Sequence, residues 1–174
     1  PPGPGRYTGP LGLGVLIMFR IGQGFDVHRL VKDRNLILCG VTIPHSLGLA
    51  GHSDADVAVH ALIDAYLGAL ALGDIGSWFP DNDPKYKNAD SMKLLETVIN
   101  DQNIAKYQLV NLDLTIVMQE PKIAPYIDRM RTNLISVLDC SPDRISIKAT
   151  TTERLGYCGR GEGIAANAIL LLEG

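Results

Sequence analysis

Cysteine is scarce in this sequence: Cys39, Cys140 and Cys158 are the only ones in 174 residues. Scattered in this way they make neither a disulfide framework nor a CxxC metal site, so a reducing compartment, the cytoplasm, is expected. Basic excess is lacking too. Lys and Arg number 16 against 19 Asp and Glu, a net charge of −3, which excludes the basic face that nucleic-acid binding needs. No apolar run is long enough to cross a bilayer, and the stretch Val15–Phe19 falls far short. Beyond residue 18 there is no internal repeat and no low-complexity segment.

What is present is ordinary for a soluble globular domain: 46% hydrophobic and 20% charged residues, in a chain long enough for one real core. Residues 1–18, "PPGPGRYTGPLGLGVLIM", are punctuated by Pro and Gly and show no regular period. They read as an added leader or a flexible arm, not a signal peptide, with Met18 as the native start and the domain over 19–174. Residues 19–29 and 35–43 read as strands with a turn at 32–35. An apolar, Ala- and Leu-rich pattern over 54–72 predicts a buried helix stopped by Gly73. "SWFPDNDPKYKN" is a loop, a second helix follows over 89–100, and "LVNLDLTIVM" alternates as a strand. "PKIAPYIDRMRTNLISVLD" starts on prolines and turns helical, and "RISIKATT" and "GIAANAILLLE" read as the last two strands. The order predicts one α/β domain of the α+β type, a mixed sheet with helices on one side.

Polar residues in apolar surroundings carry the chemistry. In "GFDVHRL", Asp26 and His28 are two apart on a strand and share a face. In "GHSDADVAVHALIDAYLG", Ser53 and Asp56 resemble a capping box with Asp in place of Glu. Asp56, His60 and Asp64 form one stripe on the helix. Asp56 or Asp64 could accept one ring N–H of a buried His60 and free the other nitrogen for a metal. Alone, His60 reads as a core histidine; with Asp26 and His28 it makes a zinc site with an open fourth position, which Mn²⁺ or Co²⁺ could also fill. His52 and Ser53 sit where that helix is expected to begin, a natural anion site, although His52 could simply pack in a loop. In "KATTTERLGYCGRGEG", Thr150, Thr151 and Thr152 offer hydroxyls, and Glu153 is the kind of lone carboxylate that holds Mg²⁺ with substrate phosphates. The alternative is a threonine-rich strand end. Its glycines fit neither GxGxxG nor the P-loop.

The segments "GFDVHRL", "GHSDADVAVHALIDAYLGALALGDIG", "FPDNDP", "ADSMKLL", "PKIAPYI" and "IKATTTERLGYCGRGEGIA" follow in this order from about Arg20 to the end. Together they resemble the 2-C-methyl-D-erythritol 2,4-cyclodiphosphate synthase family of the non-mevalonate isoprenoid pathway. The resemblance implies a phosphorus–oxygen lyase that converts 4-diphosphocytidyl-2-C-methyl-D-erythritol 2-phosphate to the cyclic diphosphate with release of CMP. It implies Zn²⁺ on Asp26, His28 and His60, and a second ion, Mg²⁺ or Mn²⁺, on Glu153 and the substrate diphosphate. It makes His52 and Thr151 the catalytic pair that holds the phosphates at the transition state, with Ser53, Thr150 and Thr152 as further substrate contacts. Asp74, Ile75 and Gly76 fall at the ribose site. Met118, Gln119, Glu120, Pro121, Lys122, Ile123 and Ala124 fall at the cytosine pocket. Phe79, Pro80, Asp81, Asn82 and Asp83 form a mobile loop over the methylerythritol. The family is homotrimeric with each active site between chains. Tyr157, Arg160 and Glu162 lie near the axis, where an isoprenoid diphosphate can sit. Tyr157 replaces a usual Phe and Cys158 a common Thr. Two rivals stand beside it: a zinc-dependent phosphohydrolase of a nucleotide-linked substrate, which would use the same Asp26, His28 and His60, and a non-catalytic trimeric binding module, which would tolerate loss of those ligands and against which three ligands drawn from two separate elements argue.

Overall fold

Side-chain alternation along residues 19–31 produces the strand β1 (Phe19–Val31) in the computed structural model, which describes residues 17–174. Of the leader or arm expected at 1–18, residues 1–16 lie outside the described residues. β1 pairs antiparallel with β7 (Gly163–Glu173), from Phe19 opposite Glu173 to Arg29 opposite Gly163, and with β4 (Gly48–Leu49) beyond that. β7 pairs antiparallel with β5 (Gln108–Val117), and β5 pairs parallel with β6 (Ile145–Thr150). The order β4-β1-β7-β5-β6 is a mixed sheet. The helices α1 (Val57–Ala69), α3 (Ser91–Ile99) and α4 (Ile127–Leu138) cover one face, as the sequence predicts, and short helices α2 (Ile75–Trp78) and α5 (Gly156–Gly159) join the elements.

α1 is apolar on nearly every side, and Val57, Leu62, Ile63 and Leu67 are fully buried in it. It lies on β1 at backbone distance. A Cβ at Gly22 would stand 1.9 Å from the Ala65 carbonyl oxygen, and one at Gly24 would stand 1.9 Å from that of Ala61. The helix therefore rests directly on the strand, with alanines between them. Gly22, Gly24, Asp26 and His28 share one face of β1, so the two glycines that seat the helix lead straight to the two ligand candidates. The opposite face of the sheet is bare. Ile21 is 72% exposed, and Phe19, Phe25, Val27 and Ile169 are also open.

Three local expectations need correction. Residues 35–43 are not one strand but the hairpin of β2 (Leu36–Leu38) and β3 (Val41–Ile43), because Cys39 and Gly40 are both left-handed, at φ 47° and 69°. Two such residues make the tight turn that matches strand twist. The helix expected from 54 starts at Val57, because Asp56 is itself the N-cap: its Oδ1 accepts from Val59 N–H at 3.2 Å. Ser53 caps nothing, so the capping box is absent. The same helix ends at Ala69 rather than at Gly73. Left-handed Ala71 (φ 56°) lets Leu72 N–H return to the Leu67 carbonyl at 2.9 Å.

A Gly24→Ala protein is expected to lose about 1–3 kcal/mol of stability, or more, because α1 must lift off the strand. Gly68→Ala, on the open side of α1 with nothing nearer than 3.8 Å, is expected to be neutral or to gain up to about 1 kcal/mol. Urea melts of both variants check the contrast, and equal effects would refute the close-approach argument.

Candidate active site

β1 presents Asp26 and His28 toward α1, and the first turns of α1 present His60 toward β1. Their atoms converge. Asp26 Oδ2 is 3.0 Å from His28 Nε2 and 3.1 Å from His60 Nδ1, and the two ring nitrogens are 3.0 Å apart. One oxygen and two nitrogens form a nearly equilateral triangle. Three donors so spaced fit around one ion at bond lengths of about 2.0–2.2 Å, and a His₂-carboxylate set suits Zn²⁺. Among the described residues this is the group of acidic, histidine or cysteine side chains able to hold a metal. Burial pushes the Asp26 carboxyl up, but hydrogen bonds from His28 and His60 and their charge outweigh it and hold it well below the usual carboxylate range. Burial pulls His28 down, yet the hydrogen bond and charge of Asp26, with a bond to the Ala50 backbone, leave it above the ordinary imidazole range. Asp26 is thus a firm anion, the state in which a carboxylate ligates.

The partners expected for His60 are not the ones found. Asp56 Oδ2 accepts from Gly40 N–H at 2.8 Å while its Oδ1 caps α1, and full burial pushes its carboxyl up to about 6. Asp64 accepts from Ile75 N–H at 2.7 Å. Neither hydrogen-bonds His60, because both are taken by backbone donors of adjoining loops. His60 Nε2 instead lies 2.9 Å from Ser91 Oγ and 3.1 Å from Ser53 Oγ. Ser91 is the first residue of α3, and Asp54 accepts from both its hydroxyl and its N–H. Sequence reasoning missed Ser91 and Asp54. Spacing carries no trace of a contact made 31 residues downstream, and a serine at a helix start reads as a cap.

The triangle opens into a cavity of about 370 Å³ whose walls include His52, Ser53, Ile75, Gly76, Phe79 and Asp81. His52 is not at a free helix N-terminus, since the Asp56 carboxylate already occupies that end of α1; its Nε2 faces the Asp83 carbonyl at 3.3 Å. Asp74 makes a capping box with Ser77 on α2 and so shapes the wall without facing the triangle. Pro80, Asn82 and Asp83 follow in the segment that rims the cavity, ahead of the short turn Pro84–Tyr86.

The remaining candidates gather elsewhere. The register places Asp26 opposite Ala166, Ala166 opposite Ile116, and Ile116 opposite Ala149. Three strand spacings, about 14 Å, therefore separate β1 from β6 at the level of the triangle. At that far side Met118 N–H donates to the Thr150 carbonyl at 3.0 Å, and Thr151 Oγ1 donates to Glu153 Oε1 at 2.9 Å. Glu153 and Arg154 are both left-handed, at φ 51° and 67°, and Arg154 N–H reaches Gln119 at 3.4 Å. Gln119, Glu120 and Arg160 border a second cavity of about 370 Å³, while Pro121, Lys122, Ile123 and Ala124 continue away from it toward α4. Met118 and Ile123 point into the core, while Gln119, Glu120 and Lys122 keep their side chains at the surface. Thr152 bonds the Leu155 carbonyl at 2.6 Å. Tyr157 lies beside Val27 and Glu162, and Arg160 pairs with Glu162 at 2.7 Å. Within one chain the structure thus makes two clusters, not one site.

Comparison with known proteins follows the same lines. The family model described as the YgbB family matches residues 19–173. The 2-C-methyl-D-erythritol 2,4-cyclodiphosphate synthase of Moorella thermoacetica is 60% identical over 153 residues, covering 88% of this chain and 94% of the relative. That of Geobacter sulfurreducens is 60% identical over 154 residues, covering 88% and 98%. Among solved structures, the bifunctional IspDF from Campylobacter jejuni superposes with a TM-score of 0.86 at 43% identity, over 90% of this chain; the chain spans 42% of that longer protein. A 2C-methyl-D-erythritol-2,4-cyclodiphosphate synthase in its CDP-bound form superposes with a TM-score of 0.80 at 37% identity, over 88% of this chain and 99% of that one. The chain belongs to the YgbB family, the family of the 2-C-methyl-D-erythritol 2,4-cyclodiphosphate synthases.

Proposed function

We propose that this protein converts 4-diphosphocytidyl-2-C-methyl-D-erythritol 2-phosphate to 2-C-methyl-D-erythritol 2,4-cyclodiphosphate and CMP, in the supply of isoprenoid precursors. The observation that carries this reading is the Asp26–His28–His60 triangle opening on a cavity, in a chain 60% identical to synthases of that name. The substrate brings its own nucleophile. An oxygen of the 2-phosphate bonds the β-phosphorus, the bond from that phosphorus to the bridging oxygen breaks, and CMP leaves with the electron pair. No general base is needed, because the phosphate is already ionised.

Asp26, His28 and His60 would hold Zn²⁺, with Mn²⁺ or Co²⁺ as substitutes, and Glu153 would hold Mg²⁺ or Mn²⁺ with the substrate diphosphate. Bound there, the cations offset repulsion between the phosphates and stabilise the leaving group. The chain's own groups hold the reactants in line. His52 and Thr151 hold the phosphates. Asp74, Ile75 and Gly76 take the ribose, and backbone groups of 118–124 read the cytosine. Phe79–Asp83 closes over the methylerythritol and keeps out water, which would otherwise hydrolyse the diphosphate.

β1, which carries Asp26 and His28, lies three strand spacings, about 14 Å, from β6, which leads into Thr151 and Glu153, so the two clusters stand apart in one chain. A homotrimer with sites between neighbours resolves this. The exposed apolar face of Phe19, Ile21, Phe25, Val27 and Ile169 supports such an assembly. Tyr157, Arg160 and Glu162 would then line the axis, as a place for an isoprenoid diphosphate. The three cysteines are free, which suits a cytoplasmic enzyme.

Incubation with the cytidyl substrate, Mg²⁺ and Zn²⁺ is expected to yield CMP and the cyclic diphosphate in equal amounts. An acyclic monophosphate would instead mark a zinc-dependent phosphohydrolase. His60→Ala is expected to lose bound zinc and all cyclisation while remaining folded, whereas Glu153→Ala keeps its zinc and loses the response to Mg²⁺. Full zinc content in the His60→Ala protein would overturn the ligand assignment.

The shared site has its own test. His60→Ala disables the zinc half; Ala124→Trp, at an exposed position, blocks the cytosine half. Each protein alone is expected to be inactive. Refolded together in equal amounts, they should regain about a quarter of the activity, since a ring of random composition joins two intact halves in that share of sites. Verified mixed trimers without activity would place the whole site in one chain.

A further inference from the structure

Behind His60, Ser91 and Asp54 stand in sequence, Ser91 fully buried and Asp54 half-buried at the border of a separate cavity. His60 Nε2 is 2.9 Å from Ser91 Oγ, and the Ser91 hydroxyl donates to Asp54 Oδ1. Ser91 N–H donates to Asp54 Oδ2 at 3.2 Å, and Asp54 N–H is held by the Ala89 carbonyl at 2.9 Å. Ser91 is fully buried and has no freedom to look for water. Ser53 also faces Nε2, at 3.1 Å; its oxygen accepts from Ala55 N–H at 3.1 Å, and its own hydrogen has the Ser91 oxygen as an acceptor at 3.5 Å.

We infer that Asp54 and Ser91 are positioning residues that keep a hydrogen on His60 Nε2, and so keep Nδ1 free as a metal ligand. The inference rests on the metal reading given above and deepens it. Its logic is a count of hydrogens. A carboxylate only accepts, and a serine hydroxyl has one hydrogen to give. With that hydrogen committed to Asp54, the Ser91 oxygen can only accept, and Nε2 must donate to it. A neutral imidazole carries one N–H, so Nδ1 is left with its lone pair. That lone pair faces Asp26 Oδ2 at 3.1 Å and His28 Nε2 at 3.0 Å. The relay has an opponent. Asp26 is also a carboxylate, and it favours the other tautomer, in which Nδ1–H donates to Asp26 and the ligand atom is blocked. Asp54, acting through Ser91, counters Asp26 from the far side of the ring.

Asp54→Asn separates this role from mere support. Ser91 N–H can only donate, so the amide oxygen of the substituted side chain turns to it and the amide NH₂ turns to Ser91 Oγ. The serine hydrogen is then released toward His60 Nε2, and the direction of the whole chain reverses. Both hydrogen bonds to Ser91 persist, and the contact from Asp56 N–H to Oδ1, at 3.3 Å, is the one given up.

The test reads two quantities in the wild type and in the Asp54→Asn, Ser91→Ala and Ser53→Ala proteins. The first is the His60 tautomer, from ¹⁵N and ¹H shifts of the ring in metal-free protein at pH 8. The second is zinc affinity, by titration against a competing chelator. Asp54→Asn and Ser91→Ala are expected to shift His60 toward the Nδ1–H tautomer and to weaken zinc binding about 10–100-fold, the range for partners that orient a ligand. Ser53→Ala should move both by less. An unchanged tautomer ratio in Asp54→Asn and Ser91→Ala, or unchanged zinc affinity beside wild-type binding, would overturn the relay, as would Ser53→Ala exceeding Ser91→Ala. A wild type that binds no zinc would overturn the metal reading itself, and the tautomer comparison would still judge the relay.

Discussion

Gly22 and Gly24 offer nothing larger than a hydrogen to the carbonyls of Ala65 and Ala61, and α1 sits down on β1 at that distance. Side chains normally hold a helix about 10 Å from its sheet. Here the spacing collapses along most of the helix, from Ala61 to Ala69. That is what lets a histidine on the helix and an aspartate and histidine on the strand bring their tips within 3.1 Å of one another. With a larger residue at either glycine, the three donors would belong to two surfaces facing across a gap. The alanines of α1 serve the same end, since Ala61, Ala65 and Ala69 leave its strand-facing side flat. Helix, strand and ligand set are one feature viewed at three scales.

Around that contact the molecule divides its polar work. Backbone donors of the loops beside α1 are met by Asp56 and Asp64, and the imidazole ring behind the triangle is met by hydroxyls from other elements. Asp56, Asp64 and His60 each find partners suited to them, so the triangle is held from behind without a second charge in direct contact with His60. The sheet follows the opposite policy. One face carries the helices, and the other leaves aromatic and branched side chains in water. A surface of that kind is unfavourable in water, and burial against another surface would relieve it.

Much of this was legible in the sequence, and the failures have physical causes. Asp26 and His28 could be placed on one face from a spacing of two, because strand periodicity is rigid. The buried helix under His60 could be read from its composition. The partner of His60 could not, because Asp56 and Asp64 lie at the spacing that usually matters, while Ser91 reaches the ring only through the packing of α3 against α1. The hairpin at Cys39 and Gly40 was hidden because a cysteine in a left-handed turn has no sequence signal, and its neighbours are all apolar. The two clusters could be named residue by residue. That they sit on strands three places apart is a fact of sheet order, which no local pattern encodes.

β1 has its long partner in β7, and the two are joined from Phe19 opposite Glu173 to Arg29 opposite Gly163. Synthesis runs from the N-terminus, so β1 emerges well before β7. The candidate ligands Asp26 and His28 leave the exit tunnel early, yet their strand gains its long neighbour only once β7 is free, and α1 until then lacks part of the floor it rests on. β1 and the apolar helix α1 must therefore wait together while the rest of the domain is made. The triangle gains its full support only as a late event, and any pause before β7 emerges prolongs the interval in which β1 lacks its long partner.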